Sequence, residues 1–155
     1  MEACVRVPRW GRFEQTFDAV LAGNPFLDVS LHAVFRHGDS GRSVEVEGFC
    51  DGDDCWRIRF MPDAEGAWTW RSRSNRPQLD GHAGTLCCTP ADAGVHGPVR
   101  VQDRLHFAHA DGTPFFPFGT TSYGWAHQPE PLAERTLESL RAGPFNKIRF
   151  CVLPH

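Results

Sequence analysis

A chain of 155 residues with 41% hydrophobic and 12% aromatic residues, 5 Trp and 12 Phe among them, can bury one core with a small appendage and is not a disordered segment. Its formal net charge is -3 and no basic face is concentrated in sequence, which argues against nucleic acid as a partner. No apolar stretch approaches the ~20 residues of a membrane helix, so no membrane partner is expected either.

The start, Met1-Glu2-Ala3-Cys4-Val5, has no basic region leading into an apolar core. Taken as the native start it is not a secretory leader, and a cytoplasmic location is expected. Alternation then dominates. An early strand is expected over Trp10 to Phe17. Val29, Leu31, Ala33 and Phe35 are apolar at every second position, Val44 and Val46 continue the pattern, Trp56, Ile58 and Phe60 alternate with Arg57 and Arg59, and Trp68 and Trp70 alternate with Thr69 and Arg71. Period two with one apolar face is a half-buried strand. Turn signals separate the runs: Gly23-Asn24-Pro25, His37 to Gly41, Asp51-Gly52, Asp63 to Gly66 and Asp80-Gly81. A last strand falls over Thr85 to Thr89. Short strands so spaced predict two packed antiparallel sheets of immunoglobulin-like type, with Phe13, Leu31, Phe35, Ile58, Phe60 and Trp70 inside.

Pro90 to Gly94 reads as a linker, and after about residue 98 the pattern changes. Val99 to Val101 and Leu105 to Ala108 are short strands, and Asp111-Gly112 is a tight hairpin turn. Phe115-Phe116-Pro117-Phe118 is apolar without alternation, which suits a strand buried on both faces. Pro129 and Pro131 open a helix, Ala133, Leu137 and Leu140 recur along it, and Gly143-Pro144 stops it. Asn146 to Leu153 is a second buried strand. Strand, helix and strand make one βαβ unit, which cannot cover its own faces. The expected division is 1–97 and 98–155. The tail from about residue 115 is expected to fray or to self-associate through its open strands.

The six cysteines include no CxxC pair and no zinc spacing, so no metal is expected. Six free thiols are the preferred reading in a reducing cytoplasm, with a disulfide at Cys50 and Cys55, across the Asp51-to-Asp54 turn, as the alternative. Cys87 and Cys88 are adjacent and would point to opposite faces of a strand. His106 and His109, three apart, are likewise no metal pair. Asp51-Gly52-Asp53-Asp54 lacks the later glycine and closing glutamate of a calcium loop and reads as a hairpin turn. No phosphate-cradling glycine motif, nucleophile elbow or cofactor signature occurs.

Several segments together resemble a known bacterial family. They are Arg9 to Glu14, Gly23-Asn24-Pro25-Phe26, Gly48-Phe49, Arg57 to Pro62, Glu65-Gly66-Ala67-Trp68-Thr69-Trp70 and Ser74-Asn75, followed by His96 to Val101, Phe107 to Pro114 and Phe118-Gly119-Thr120-Thr121-Ser122-Tyr123. The first group is similar to the uncharacterised immunoglobulin-like domain that precedes apiosidase-like glycoside hydrolase barrels, and the second to the opening of such a barrel. The resemblance implies a mainly β chain: an immunoglobulin-like antiparallel β-sandwich followed by the first βαβ unit of an incomplete (β/α)8 barrel. It implies the N-terminal part of a glycoside hydrolase, with carbohydrate as the partner at the barrel face and no cofactor. The alternative is a stand-alone carbohydrate-binding or structural β-sandwich module.

Phe145-Asn146-Lys147-Ile148-Arg149 resembles the second barrel strand of the large retaining glycosidase clan, where the arginine supports a catalytic nucleophile. A positive charge keeps a carboxylate ionised. The clan's two carboxylates, about 5–5.5 Å apart, come from later strands than this chain contains. No residue here is therefore assigned as catalytic. The candidate substrate-binding residues are Tyr123, Trp125, His127, Arg149 and His155, at the C-terminal ends of the two barrel strands, where the active sites of this fold lie. For Arg149 an outward-facing ion pair is the alternative, and for Tyr123 and Trp125 a plug at the joint between the two parts. Trp56, Trp68 and Trp70, alternating strictly with Arg and Thr, are assigned to the core rather than to a sugar platform.

Overall fold

The computed structural model describes residues 4–153, and the chain divides into two compact units, Met1–Pro98 and Val99–His155. The first is a single large sheet. Its strands are β1 (Val5–Pro8), β2 (Phe13–Asp18), β3 (Leu31–His37), β4 (Ser43–Cys50), β5 (Cys55–Phe60), β6 (Gly66–Ser74) and β7 (Ala83–Thr89), in the order β1-β7-β6-β3-β4-β5-β2. The second unit holds a three-stranded antiparallel sheet of β8 (Val99–Gln102), β9 (His106–His109) and β10 (Pro114–Phe115), then β11 (Gly119–Thr121), helix α1 (Glu130–Ala142) and β12 (Lys147–Arg149). The chain is mainly β.

The expected alternation is realised residue by residue. In β3 the apolar positions Leu31, Ala33 and Phe35 are buried, in β5 Trp56, Ile58 and Phe60, and in β6 Trp68 and Trp70. All six residues expected inside belong to the core. Where two packed antiparallel sheets are expected, one hydrogen-bonded ladder runs through all seven strands, and β1 joins it in parallel. β4 carries it: Ser43 to Glu47 pair with β3, and Gly48 to Cys50 pair with β5. The turn of the sheet at this point needs glycine, since a Cβ on Gly48 would sit 2.5 Å from Leu31 Cγ.

Curling closes the sheet almost onto itself. Phe13 of the edge strand β2 lies edge-on to Phe35 of β3 at 5.7 Å and against Trp70 of β6 at 6.0 Å, and Phe35 stacks on Phe60 at 4.0 Å. Such aromatic contacts add to the area each ring removes from water. The indoles face inward with their N–H groups satisfied: Trp56 Nε1 donates to the Ala19 carbonyl at 3.2 Å and Trp68 Nε1 to that of Ala64 at 2.9 Å. Buried His37 accepts the Ser40 amide at Nδ1, which leaves Nε2–H to donate to the Glu65 carbonyl at 2.8 Å.

The cysteine reading is also corrected. Cys4 and Cys87, 83 residues apart, form a disulfide with their Cα atoms 6.0 Å apart. It fastens β1, which pairs parallel to β7. Cys50, Cys55, Cys88 and Cys151 are free. Cys50 lies opposite Trp56 in the β4–β5 ladder and packs on the core, whereas Cys55 is one position away on the other face of the pleat. Cys87 and Cys88 do point to opposite faces, with Cys88 in the core.

The apolar run Phe115 to Phe118 is not one strand. Phe115 belongs to the hairpin, Phe116 and Phe118 are exposed, and the strand falls on Gly119–Thr121 instead. The later strand is shorter than expected, Lys147–Arg149. Helix α1 begins and ends where the prolines and Gly143-Pro144 place it, with Ala133, Leu137 and Leu140 half-buried along one side.

Candidate functional site

Four of the five candidate site residues fall in the described part of the second unit; His155 lies outside the described residues. β11 and β12 pair in parallel, Gly119↔Lys147, Thr120↔Ile148 and Thr121↔Arg149, joined through α1. Both strands therefore end on the same side, and the chain beyond β11 meets the end of β12. The Ser122 amide donates to the Arg149 carbonyl at 2.9 Å, and the Cys151 amide donates to the Tyr123 carbonyl at 3.0 Å.

These backbone bonds bring Tyr123 and Arg149 together. Arg149 Nη2 donates to the Tyr123 hydroxyl at 2.5 Å, and its guanidinium carbon is 5.1 Å from the ring centre. Both side chains are exposed. Arg149 ends its strand instead of lying midway along it, and its described partner is a phenol, not a carboxylate. Trp125 begins a 3-10 turn, Trp125–His127, and is half-buried. Its Nε1 donates to the Ala133 carbonyl at 3.2 Å, and its ring meets Phe150 edge-on at 5.0 Å. Trp125 is thus committed to α1 and to the residue after Arg149. His127 ends the same turn, exposed, and shares none of these side-chain bonds.

Sequence reasoning missed Asn146. Its side chain does the work of a strand edge: Oδ1 accepts the Phe118 amide at 2.8 Å, Nδ2 donates to the Phe116 carbonyl at 2.9 Å, and its own amide donates to the Phe118 carbonyl at 2.9 Å. This clamp sets the register that puts Thr121 beside Arg149. The legible signal was an Asn just before an apolar strand, a residue whose amide mimics backbone pairing.

An apolar groove of about 520 Å³ lies elsewhere in this unit, against Leu105, Phe107, Phe115 and Phe116; neither Tyr123 nor Arg149 lines it. Among the described residues no group of three or more His, Cys, Asp or Glu is placed to hold a metal ion, and no helix is long and apolar enough to cross a membrane.

In the first unit the charged groups form a surface network. Glu14 receives Arg57 Nη1 at 2.5 Å and Arg59 Nε at 2.6 Å, and Arg57 also pairs with Asp51 at 2.6 Å. Hydrogen bonding from Arg59, then from Arg57, holds the Glu14 carboxyl below the usual range against the opposing effect of burial. Glu14 bonding likewise holds the Arg57 guanidinium above its ordinary value. These groups are cross-strand neighbours and structural.

Comparison with known proteins adds three findings. No curated protein matches. The chain is similar to a protein from Bacteroides vulgatus ATCC 8482 whose crystal structure is described as that of "a putative glycoside hydrolase": 43% identity and a TM-score of 0.89, over 97% of this chain and 29% of that one. The chain thus spans less than a third of that protein's length. Residues 6–75, less than half of the chain, match the family described as a domain of unknown function (DUF5060).

Proposed function

We propose that this chain is the N-terminal part of a glycoside hydrolase: an immunoglobulin-like sandwich followed by the first βαβ unit of an apiosidase-like (β/α)8 barrel, divided near residue 97. The observation that carries the reading is the parallel pair β11 and β12, joined by α1, with Tyr123 and Arg149 touching where the two strands end. Parallel strands with a helical crossover are the repeating unit of such barrels, and sugar sites form at the carboxyl ends of their strands. The likeness, over nearly the whole chain, to the protein described as "a putative glycoside hydrolase" supports the same reading. For the sandwich, support comes from β4, which serves two sets of strands facing each other across one core.

In this reading Arg149 holds a carboxylate from a later strand in its ionised, nucleophilic state, with Tyr123 orienting the guanidinium. Tyr123 and His127, with the exposed part of half-buried Trp125, line the sugar pocket. The experiment is to express the chain joined to the reading frame that continues beyond residue 155 and assay aryl glycosides. Hydrolysis that falls by roughly 10²-fold or more in Arg149→Met, with the fold intact, supports the assignment. An extended protein whose hydrolysis is unaffected by Arg149→Met sinks it.

A further inference from the structure

We infer that the Cys4–Cys87 disulfide is a redox-operated clasp: oxidised, it holds the edge strand β1 against a cleft beside Trp70, and reduced, it lets that end of the strand go. Among the described residues β1 has β7 as its one neighbour, in a parallel ladder from Val5↔Leu86 to Pro8↔Thr89. Parallel pairing is slightly weaker per residue, and Pro8 contributes no donor. Of the four residues in β1, Val7 is buried and Pro8 half-buried while Val5 and Arg6 are exposed, so packing holds the strand at its C-terminal half.

The two ends are held differently. Beyond the C-terminal end, the Arg9 amide donates to the Thr89 carbonyl and the Trp10 amide to the Pro62 carbonyl, both at 2.8 Å, and Arg9 Nε donates to the Asp63 carbonyl at 2.9 Å. At the N-terminal end the covalent tie is the bond from Cys4 to Cys87. Breaking it leaves β1 held by its short ladder to β7 and by these bonds beyond its C-terminal end.

What that strand covers is specific. Val5 forms one wall of a cavity of about 260 Å³ whose other walls include Phe13, Gln15, Trp70 and Gly84. The cavity lies where β7 extends past its pairing with β1, toward the unpaired edge of β2. The Trp70 indole, only 6% exposed, rests on Gly84, where a Cβ would come within 2.8 Å of Nε1. Movement of Val5 removes one wall of this cavity, beside the indole.

The pairing is also unambiguous. Strand alternation sends Cys88 into the core, where burial pushes its thiol up, so Cys88 is a poor nucleophile for reshuffling the bond. Closure is thiol–disulfide exchange. The Cys4 and Cys87 thiols pass two electrons and two protons to a small disulfide of the glutathione type, which leaves as two thiols; opening is the reverse. The closed form accumulates in an oxidising compartment.

The test equilibrates the whole chain in glutathione buffers from reducing to oxidising, maps the thiols by alkylation and mass spectrometry, and follows hydrogen exchange. The expected result is a linked Cys4–Cys87 peptide on oxidation. On reduction, exchange over residues 5–8 should rise roughly tenfold or more while 31–37 and 66–72 stay protected. Cys4→Ser should behave as the reduced chain in both buffers. Free Cys4 and Cys87 thiols in the oxidising buffer would overturn the proposal. So would equal exchange of 5–8 in the two forms, or a rise across every strand, which would make the bond a staple of the whole fold.

Discussion

Arg149 and Tyr123, from segments 26 residues apart, meet through a hydrogen bond from the guanidinium to the phenol. Neither would be placed without the parallel pairing of the strands they follow or end. The contact leaves further guanidinium N–H groups of Arg149 for another acceptor, because the group carries five donors in a planar fork. In a protein extended beyond residue 155, Tyr123→Phe should keep the ring and remove the acceptor. We expect kcat to fall roughly tenfold with little change in KM, read from steady-state hydrolysis of an aryl glycoside.

The chain by itself should hydrolyse no glycoside. A retaining site needs two carboxylates flanking the bond, and each positioned acid or base contributes about 10²–10⁴ in rate. Release of aryl alcohol in proportion to the concentration of purified chain would contradict this.

Trp68 is fully buried, packs on Phe60 at 5.1 Å and bonds through its indole to the Ala64 carbonyl. Trp68→Ala should destabilise the first unit by about 3–5 kcal/mol, measured by urea unfolding. A loss below ~1 kcal/mol would mean the ring is not part of the core.

Gly48 carries the ladder from β3 to β5 against Leu31. Gly48→Val should cost about 1–3 kcal/mol by overpacking. A companion change, Leu31→Ala, opens space where the new side chain must go. The double variant should lose less than the sum of the two single losses, and strict additivity would place the strain elsewhere.

Glu14 is held below its ordinary value of 4.5 by its two arginines. A carboxyl depressed in the folded state stabilises the fold above its unfolded pKa, and that stability is lost as pH falls through the folded value. Glu14→Gln should therefore flatten the acid limb of the stability profile below about pH 4.5 and change little at pH 7 in high salt, where screening weakens the network. Thermal melts across pH 2.5 to ~7 provide the check. An unchanged acid limb would show that Glu14 is not the group lost there.

The strands β2 to β7 were legible because their cause is local. A sheet with one buried face writes period two into the chain, as at Leu31, Ala33 and Phe35 or Trp56, Ile58 and Phe60, and the turns between them carry their own residues. The helix was legible from Pro131 at its start and Gly143-Pro144 at its end for the same reason. Those elements, and the inward assignment of Trp56, Trp68 and Trp70, come from the amino-acid order alone.

Tertiary structure decided the rest, since strand partners carry no local mark. Nothing near Cys4 announces a partner 83 residues away, and β1 pairs parallel to β7 only once the intervening strands have brought that edge within reach. The run Phe115 to Phe118 has stronger strand character than Gly119–Thr121, yet the latter is the strand, because Asn146 clamps the chain at Phe116 and Phe118 and so sets β12 against residues 119–121. Propensity yields there to long-range pairing, whose energy depends on a partner that the local sequence does not contain.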